Sequence, residues 1–186
     1  MEAMSLGDRI AIINEGKVVQ IGTGDDIYYM PCNEFVAQLM GDPEINLIPG
    51  TVKKTNSGYS LEVKSFDKTY ELPGDKALFA KFDEAGASGV DVGIRPQHVV
   101  YSFEPKEGWL KCKVYSYESI GNKSVIVAEI GDQILRMIAP NGLSVGIDDD
   151  VYVDFKLGNS MFFNAETKEY LSRYDEAAII ALHTEE

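Results

Sequence analysis

From Leu47 to Asn164 the chain alternates short strand-like runs with turn residues, and this rhythm limits its possible folds more than any other feature. The runs are Thr51–Thr55, Tyr59–Ser65, Lys68–Leu72, Asp91–Ile94, Lys111–Tyr117, Ser124–Ile130, Gln133–Ile138, Val151–Leu157 and Met161–Asn164. Between them stand Asn56-Ser57-Gly58, Pro73-Gly74, Arg95-Pro96, Gly121-Asn122 and Gly131-Asp132. Strands of this length, with Gly, Pro and Asn turns about every 8–12 residues, predict a mainly β fold: an antiparallel barrel or sandwich. Gly50–Leu72 and Lys111–Ile138 each read strand, turn, strand, turn, strand, which fits two small β units sharing one core. At 186 residues folding buries roughly 70% of the unfolded surface, so the core needs neither disulfides nor a metal staple.

The segments flanking this region differ from it in pattern and in charge. Residues 1–46 hold Arg9 and Lys17 against eight acidic residues, residues 47–172 are nearly balanced, and residues 173–186 hold Arg173 against four acidic residues. We therefore divide the chain into a head, 1–46, a core domain, 47–172, and an acidic tail, 173–186. In the head, Glu2–Asp8 is compatible with a short helix. Arg9–Asn14 and Lys17–Gly22, joined by Glu15-Gly16, predict a β-hairpin. Thr23 followed by Asp25-Asp26 predicts a capped helix ending before Pro31. Asn33 caps a second, in which Phe35, Val36, Leu39 and Met40 fall at helical spacing before Gly41 and Pro43. In the tail, Glu176–Leu182 predicts a short helix whose apolar face must dock somewhere.

The net charge of −13 argues against nucleic acid as a partner, because phosphate binding requires basic neutralisation, and against adsorption to anionic membranes. The longest apolar runs fall far short of the roughly 20 residues a membrane span needs, and no signal peptide is expected. Cys32 and Cys112, with only two histidines in the chain, fit a reduced, cytoplasmic protein.

The head resembles the ATP-binding subunits of ABC importers. Glu2-Ala3-Met4-Ser5-Leu6-Gly7-Asp8-Arg9-Ile10-Ala11 is similar to the stretch that follows the switch histidine in that family, and Gly16-Lys17-Val18-Val19-Gln20-Ile21-Gly22-Thr23 continues the match. Ile27-Tyr28, Pro31, Asn33, Phe35-Val36-Ala37 and Gly41 extend it, with Gly24 and Cys32 as departures from the usual Pro and small residue. Asn46-Leu47 after Asp42-Pro43 resembles the start of the C-terminal regulatory domain in the maltose-type, sugar-importing branch. Gly93-Ile94-Arg95-Pro96-Gln97-His98 resembles its Gly-Ile-Arg-Pro-Glu-His, with Gln97 for the acid, and Tyr117-Glu118-Ser119-Ile120-Gly121-Asn122 its Glu-x-Leu-Gly-Asn turn. Phe163-Asn164-Ala165-Glu166-Thr167 loosely matches its closing motif. The resemblance implies an oligonucleotide-binding-like (OB-like, TOBE-type) pair of β units. It also implies a homodimer, contact with permease subunits through the rest of the subunit, a cytoplasmic regulator, and a place at the inner face of the membrane. The parent subunit would bind ATP and magnesium.

This chain has no Gly-x-x-x-x-Gly-Lys-Ser/Thr loop, no ABC signature and no acidic strand end for magnesium. We therefore expect no cofactor, no metal and no ATP hydrolysis from it, and read it as the C-terminal piece of a longer ATPase with the hairpin packed on the core or on a second copy. The candidate interface or regulatory residues are Arg95, Gln97, His98, Glu118, Gly121 and Asn122. Arg95-Pro96 reads either as an interface anchor or as a strand-end turn whose arginine pairs with a carboxylate. Glu118 with Gly121-Asn122 reads as a recognition loop or, more simply, a turn. His98 lacks a second ligand for a metal. Asp148-Asp149-Asp150 lacks the ligand spacing of a calcium loop and reads as a solvated turn. Alternation points Cys112 into the core, away from Lys111 and Lys113. No catalytic arrangement emerges. The alternative to a regulatory domain is a β module that senses a small oxyanion or sugar between its paired units.

Overall fold

A computed structural model describes residues 8–86 and 89–184. Of the helix-compatible stretch Glu2–Asp8, all but Asp8 lies outside them. The head begins with β1 (Ile10–Asn14) and β2 (Lys17–Gly22), an antiparallel hairpin with a bulge after Ile12. It turns through Glu15 and Gly16, both with positive φ. Two six-residue helices follow, α1 (Gly24–Tyr29) and α2 (Glu34–Leu39). The caps expected from sequence are formed. Thr23 Oγ1 accepts from Asp26 N at 3.1 Å while Asp26 accepts from Thr23 N at 2.9 Å, and Asn33 Oδ1 accepts from Val36 N at 3.0 Å. Ile12, Ile27, Val36 and Met40 form a small core of the head's own. The hairpin thus packs on the helices that follow it.

The core domain is built from two open antiparallel sheets. One, in the order β13-β12-β6-β3-β4-β5, contains β3 (Asn46–Lys54), β4 (Tyr59–Val63), β5 (Lys68–Glu71), β6 (Gly89–Ile94), β12 (Met161–Asn164) and β13 (Tyr170–Arg173). The other, in the order β10-β9-β8-β11-β7, contains β7 (Val99–Ser102), β8 (Leu110–Ile120), β9 (Lys123–Ile130), β10 (Gln133–Ala139) and β11 (Asp150–Phe155). The two expected repeats are the meanders β3-β4-β5 and β8-β9-β10. Ile48, Leu61 and Val92 from the first sheet share one core with Val114, Leu135 and Val153 from the second. The arrangement is a sandwich, and neither sheet closes into a barrel.

Four elements differ from the sequence reading. β3 starts at Asn46, not Thr51, and so includes Pro49. Proline lacks an N–H and is expected at edges. At Pro49, however, β3 is paired only on its β6 side, because β4 joins from Thr51 onward. A helix not expected from sequence, α3 (Lys76–Ala85), is capped by Asp75, whose Oδ1 accepts from Ala77 N and Leu78 N. It buries Leu78 and Phe82, the latter edge-on to Phe162 at 5.0 Å. Strands β7 and β13 are likewise additional. The tail forms α4 (Glu176–Thr184).

The sheets are also tied by a side chain. Asn46, 1% exposed, donates to Ile94 O at 3.1 Å and to Arg136 O at 2.9 Å, and accepts from Arg136 N at 2.7 Å. It thereby acts as a strand-like partner for β10.

Candidate functional site

The sequence-selected residues Arg95, Gln97 and His98 come together where the head meets the core. Arg95 directly follows β6, and Pro96 opens a tight 3-10 turn, Pro96–His98, closed by His98 N donating to Arg95 O at 2.8 Å. This aims the Arg95 side chain beneath the head. The residue is 3% exposed. Nη2 donates to Tyr28 O at 2.8 Å, and Nη1 to Ala37 O at 3.0 Å and Met40 O at 3.4 Å. These carbonyls belong to the C-terminal ends of α1 and α2, where unpaired C=O groups carry partial negative charge. The guanidinium also lies over the Tyr28 ring, 4.0 Å from its centre, a cation–π contact. One fork therefore holds two helix ends. Arg95 does stand at a strand-end turn, but its partners are carbonyls of the same chain and not the carboxylate expected there.

Arg173, at the end of β13, repeats the device. It is 7% exposed, donates from Nη1 to Tyr29 O at 2.9 Å and from Nε to Tyr174 O at 3.2 Å, and faces the Tyr29 ring at 5.4 Å. Burial lowers the pKa of both arginines, yet a guanidinium stays charged at any physiological pH. Gln97 Nε2 donates to the Tyr28 hydroxyl at 3.0 Å. Burial, then Lys156, Arg173 and Arg95, hold the half-buried His98 below the ordinary histidine pKa, so its ring is neutral at pH 7. A cleft of about 340 Å³ opens here, lined by Tyr28, Tyr29, Arg95, His98, Arg173 and Ile179 of α4, among others.

A second joint lies at the start of α2. Glu34 N donates to Lys168 O at 3.0 Å and Tyr170 N to Cys32 O at 3.0 Å, so the loop before α2 pairs with the β12–β13 turn. The Glu34 and Asp91 carboxyls both face Lys168.

Glu118, Gly121 and Asn122 are elsewhere, on the exposed β8–β9 hairpin. Gly121 takes φ +62° and accepts from Asn141 Nδ2 at 2.8 Å, the signature of a turn. Glu118 borders a separate hollow with Tyr115, Ile134 and Arg136. Cys112 points inward as alternation requires, and burial pushes its thiol up to about 11. Asp150 pairs with Lys111 and Lys113, each at 2.7 Å. Among the described residues no three His, Cys, Asp or Glu side chains are placed to hold a metal ion, and no helix is long and apolar enough to cross a membrane. Sequence reasoning missed Arg173, Tyr29, Glu34 and Asp91. Arg173 and Tyr29 meet across 144 positions, a separation no local signal spans.

The arrangement is mechanical: buried cations clamp the helix ends of the head onto the end of a β-sheet. Curated proteins similar in sequence to this chain are ABC transporter ATP-binding proteins. A Bacillus subtilis protein described as an uncharacterized ABC transporter ATP-binding protein (YurJ) is 28% identical over 173 residues, covering 90% of this chain and 46% of its own length. The sn-glycerol-3-phosphate import ATP-binding protein UgpC of Salmonella choleraesuis is 33% identical over 137 residues, 73% of this chain and 35% of its own. The xylose/arabinose import ATP-binding protein XacK of Haloferax volcanii is 37% identical over 128 residues, 67% of this chain and 30% of its own. The chain is homologous to ABC transporter ATP-binding subunits. It spans less than half the length of these relatives. No protein-family model matches it. Among solved structures, the cytoplasmic molybdate-binding protein ModG superposes with a TM-score of 0.51 over 63% of this chain and 94% of its own, at 10% identity. At that identity the likeness is one of fold, an OB-like β module.

Proposed function

We propose that this chain is the C-terminal regulatory and dimerisation part of the ATP-binding subunit of an ABC importer for a sugar or related polar solute. The observation that carries the reading is the outer face of the head's hairpin. Ile13 and Val18 are cross-strand partners, as are Ala11 and Ile21. Ile13, Val18 and Ile21 are 63%, 58% and 53% exposed, while Ile12 on the opposite face is buried. A two-stranded hairpin that is apolar on both faces is marginal in water and marks a docking surface. The greater length of the relatives supports a further domain of the same subunit as its occupant.

Nucleotide and magnesium would be held by that domain, since this chain has no phosphate-binding loop, and the chain alone would not hydrolyse ATP. The head would follow the nucleotide-binding domain as it closes and opens, and the arginine clamps would carry that motion to the β core. Paired cores of two subunits would act as the hinge, offering a surface on which a cytoplasmic regulator biases the equilibrium. The permease would be reached through the rest of the subunit, at the cytoplasmic face of the membrane. The test is the size of the native protein in its source cells, read with an antibody against this chain. A species heavier by roughly 200 residues is expected, and a band at 20.6 kDa overturns the reading. Thermal melting with molybdate, sulfate, phosphate and sugars is expected to show no saturable shift; a saturating one would replace scaffolding by ligand sensing.

A further inference from the structure

The second joint between head and core contains a charge imbalance. Lys168 Nζ stands 2.5 Å from Asp91 Oδ2 and 3.6 Å from Glu34 Oε1. The carboxyl side chains are 7% and 14% exposed, respectively. Glu34 Oε1 is buried and has no hydrogen-bond partner among the described residues, and the shared lysine places the Asp91 carboxyl beside it. One lysine cannot neutralise two buried carboxylates, and an ionised oxygen left without a donor is costly. A proton on Glu34 removes both problems, turning it from a second anion into a donor toward Asp91.

We propose that Glu34 carries a proton shared with Asp91 while the head is docked, so that losing this proton loosens the joint between head and core. The backbone links around the pair give the device its reach. Repulsion between the Glu34 and Asp91 carboxylates pushes α2 away from β6, and the load falls on the neighbouring links to the β12–β13 turn, Glu34 N on Lys168 O and Tyr170 N on Cys32 O. The groups facing Glu34 are Asp91 from β6 and Lys168 from the turn. Glu169, beside Lys168, acts on Cys32, and the buried Tyr170 hydroxyl is pushed far above its ordinary range and stays neutral. Burial first, and Asp91 second, raise Glu34 from 4.5 to about 7, which puts the transition in the physiological window. The sign follows by linkage. Between about 4.5 and 7 the docked form holds a proton that the undocked form has lost, so docking is strongest at low pH and weakens as pH rises, levelling off above about 7.

The test uses the full chain. Carbon-detected NMR follows the Glu34 carboxyl from pH 4 to 9, and hydrogen exchange follows the Glu34 and Tyr170 amides, corrected for intrinsic rates. The Glu34 midpoint is expected near 7, with protection of both amides falling up to tenfold per pH unit between about 5 and 7. In Glu34→Gln, which keeps a neutral donor, that slope disappears. In Asp91→Asn the Glu34 midpoint moves down toward 4.5. A Glu34 midpoint within half a unit of 4.5 in the unmodified chain overturns the proposal, and that measurement needs no variant to fold. Equal slopes in the unmodified chain and Glu34→Gln overturn it as well.

Discussion

Replacing Arg95 with alanine is expected to release the head while leaving both sheets folded. The guanidinium makes bonds of 2.8 and 3.0 Å to Tyr28 O and Ala37 O and a long one of 3.4 Å to Met40 O. Counting the two shorter bonds at about 1.5 kcal/mol each for a charged donor, and the Tyr28 stacking at about 1 kcal/mol, the gross loss is about 4 kcal/mol. Leaving no cation to desolvate returns part of this, so the net cost is about 3 kcal/mol, or roughly 150-fold in the opening equilibrium of the head. Hydrogen exchange with mass spectrometry reads it directly. Amides in α1 and α2, such as Met30 N on Asp26 O and Met40 N on Val36 O, should lose protection by about that factor, while β9 and β10 stay within threefold. Arg95→Lys should recover one carbonyl at most, because an ammonium is a compact point charge without a planar fork. Head amides that exchange at the unmodified rate, or equal loss of protection in β9 and β10, would refute the reasoning.

Gly41 is bare because the clamp passes over it: a Cβ there would lie 2.9 Å from Arg95 Nη1 and 3.0 Å from Pro43 O. Gly41→Ala should cost about 1–2 kcal/mol by thermal melting, and less in the Arg95→Ala background, since the two changes share one contact. Asn46→Ala orphans Arg136 N and two carbonyls between the sheets and should cost about 2–4 kcal/mol by urea titration; Asn46→Asp should cost more, because a carboxylate would face those two carbonyls. Cys112, with its thiol raised to about 11 by burial, should resist a thiol reagent at pH 8 in the native chain and react fully in urea. His98, held below its ordinary 6.5, is charged first in the unfolded chain, so its contribution to stability is present above about pH 6.5 and is lost as pH falls through the native value. His98→Gln should flatten the acid side of the stability profile, measured as urea midpoints at pH 5 and 7.

What the amino-acid sequence determines by itself here is local and repetitive. Alternation with turns every few residues is enough for two antiparallel meanders, for the inward Cys112 and for the positive φ of Gly121. Thr23 with Asp26, and Asn33 with Val36, specify two helix starts because cap and capped amide lie three residues apart. The same kind of signal stands around α3, in Asp75, the Leu78–Phe82 spacing and Gly86, but Pro73-Gly74 just before it points to a loop and the sequence reading leaves that helix out. The first half of β3 is a different case, because Pro49 forbids a central strand unless the neighbouring strand begins later. Only the tertiary structure decides that.

The site is also the work of the fold. The Arg95-Pro96-Gln97-His98 motif marks a strand end, but helix-end carbonyls are chemically alike wherever helices end. Which ones an arginine meets depends on how the head lies across the sheet, 55 to 67 positions away along the chain. Glu34, Asp91 and Lys168 read one at a time as ordinary surface charges. Burial and mutual proximity make one of them hold a proton, and both are properties of the packed chain.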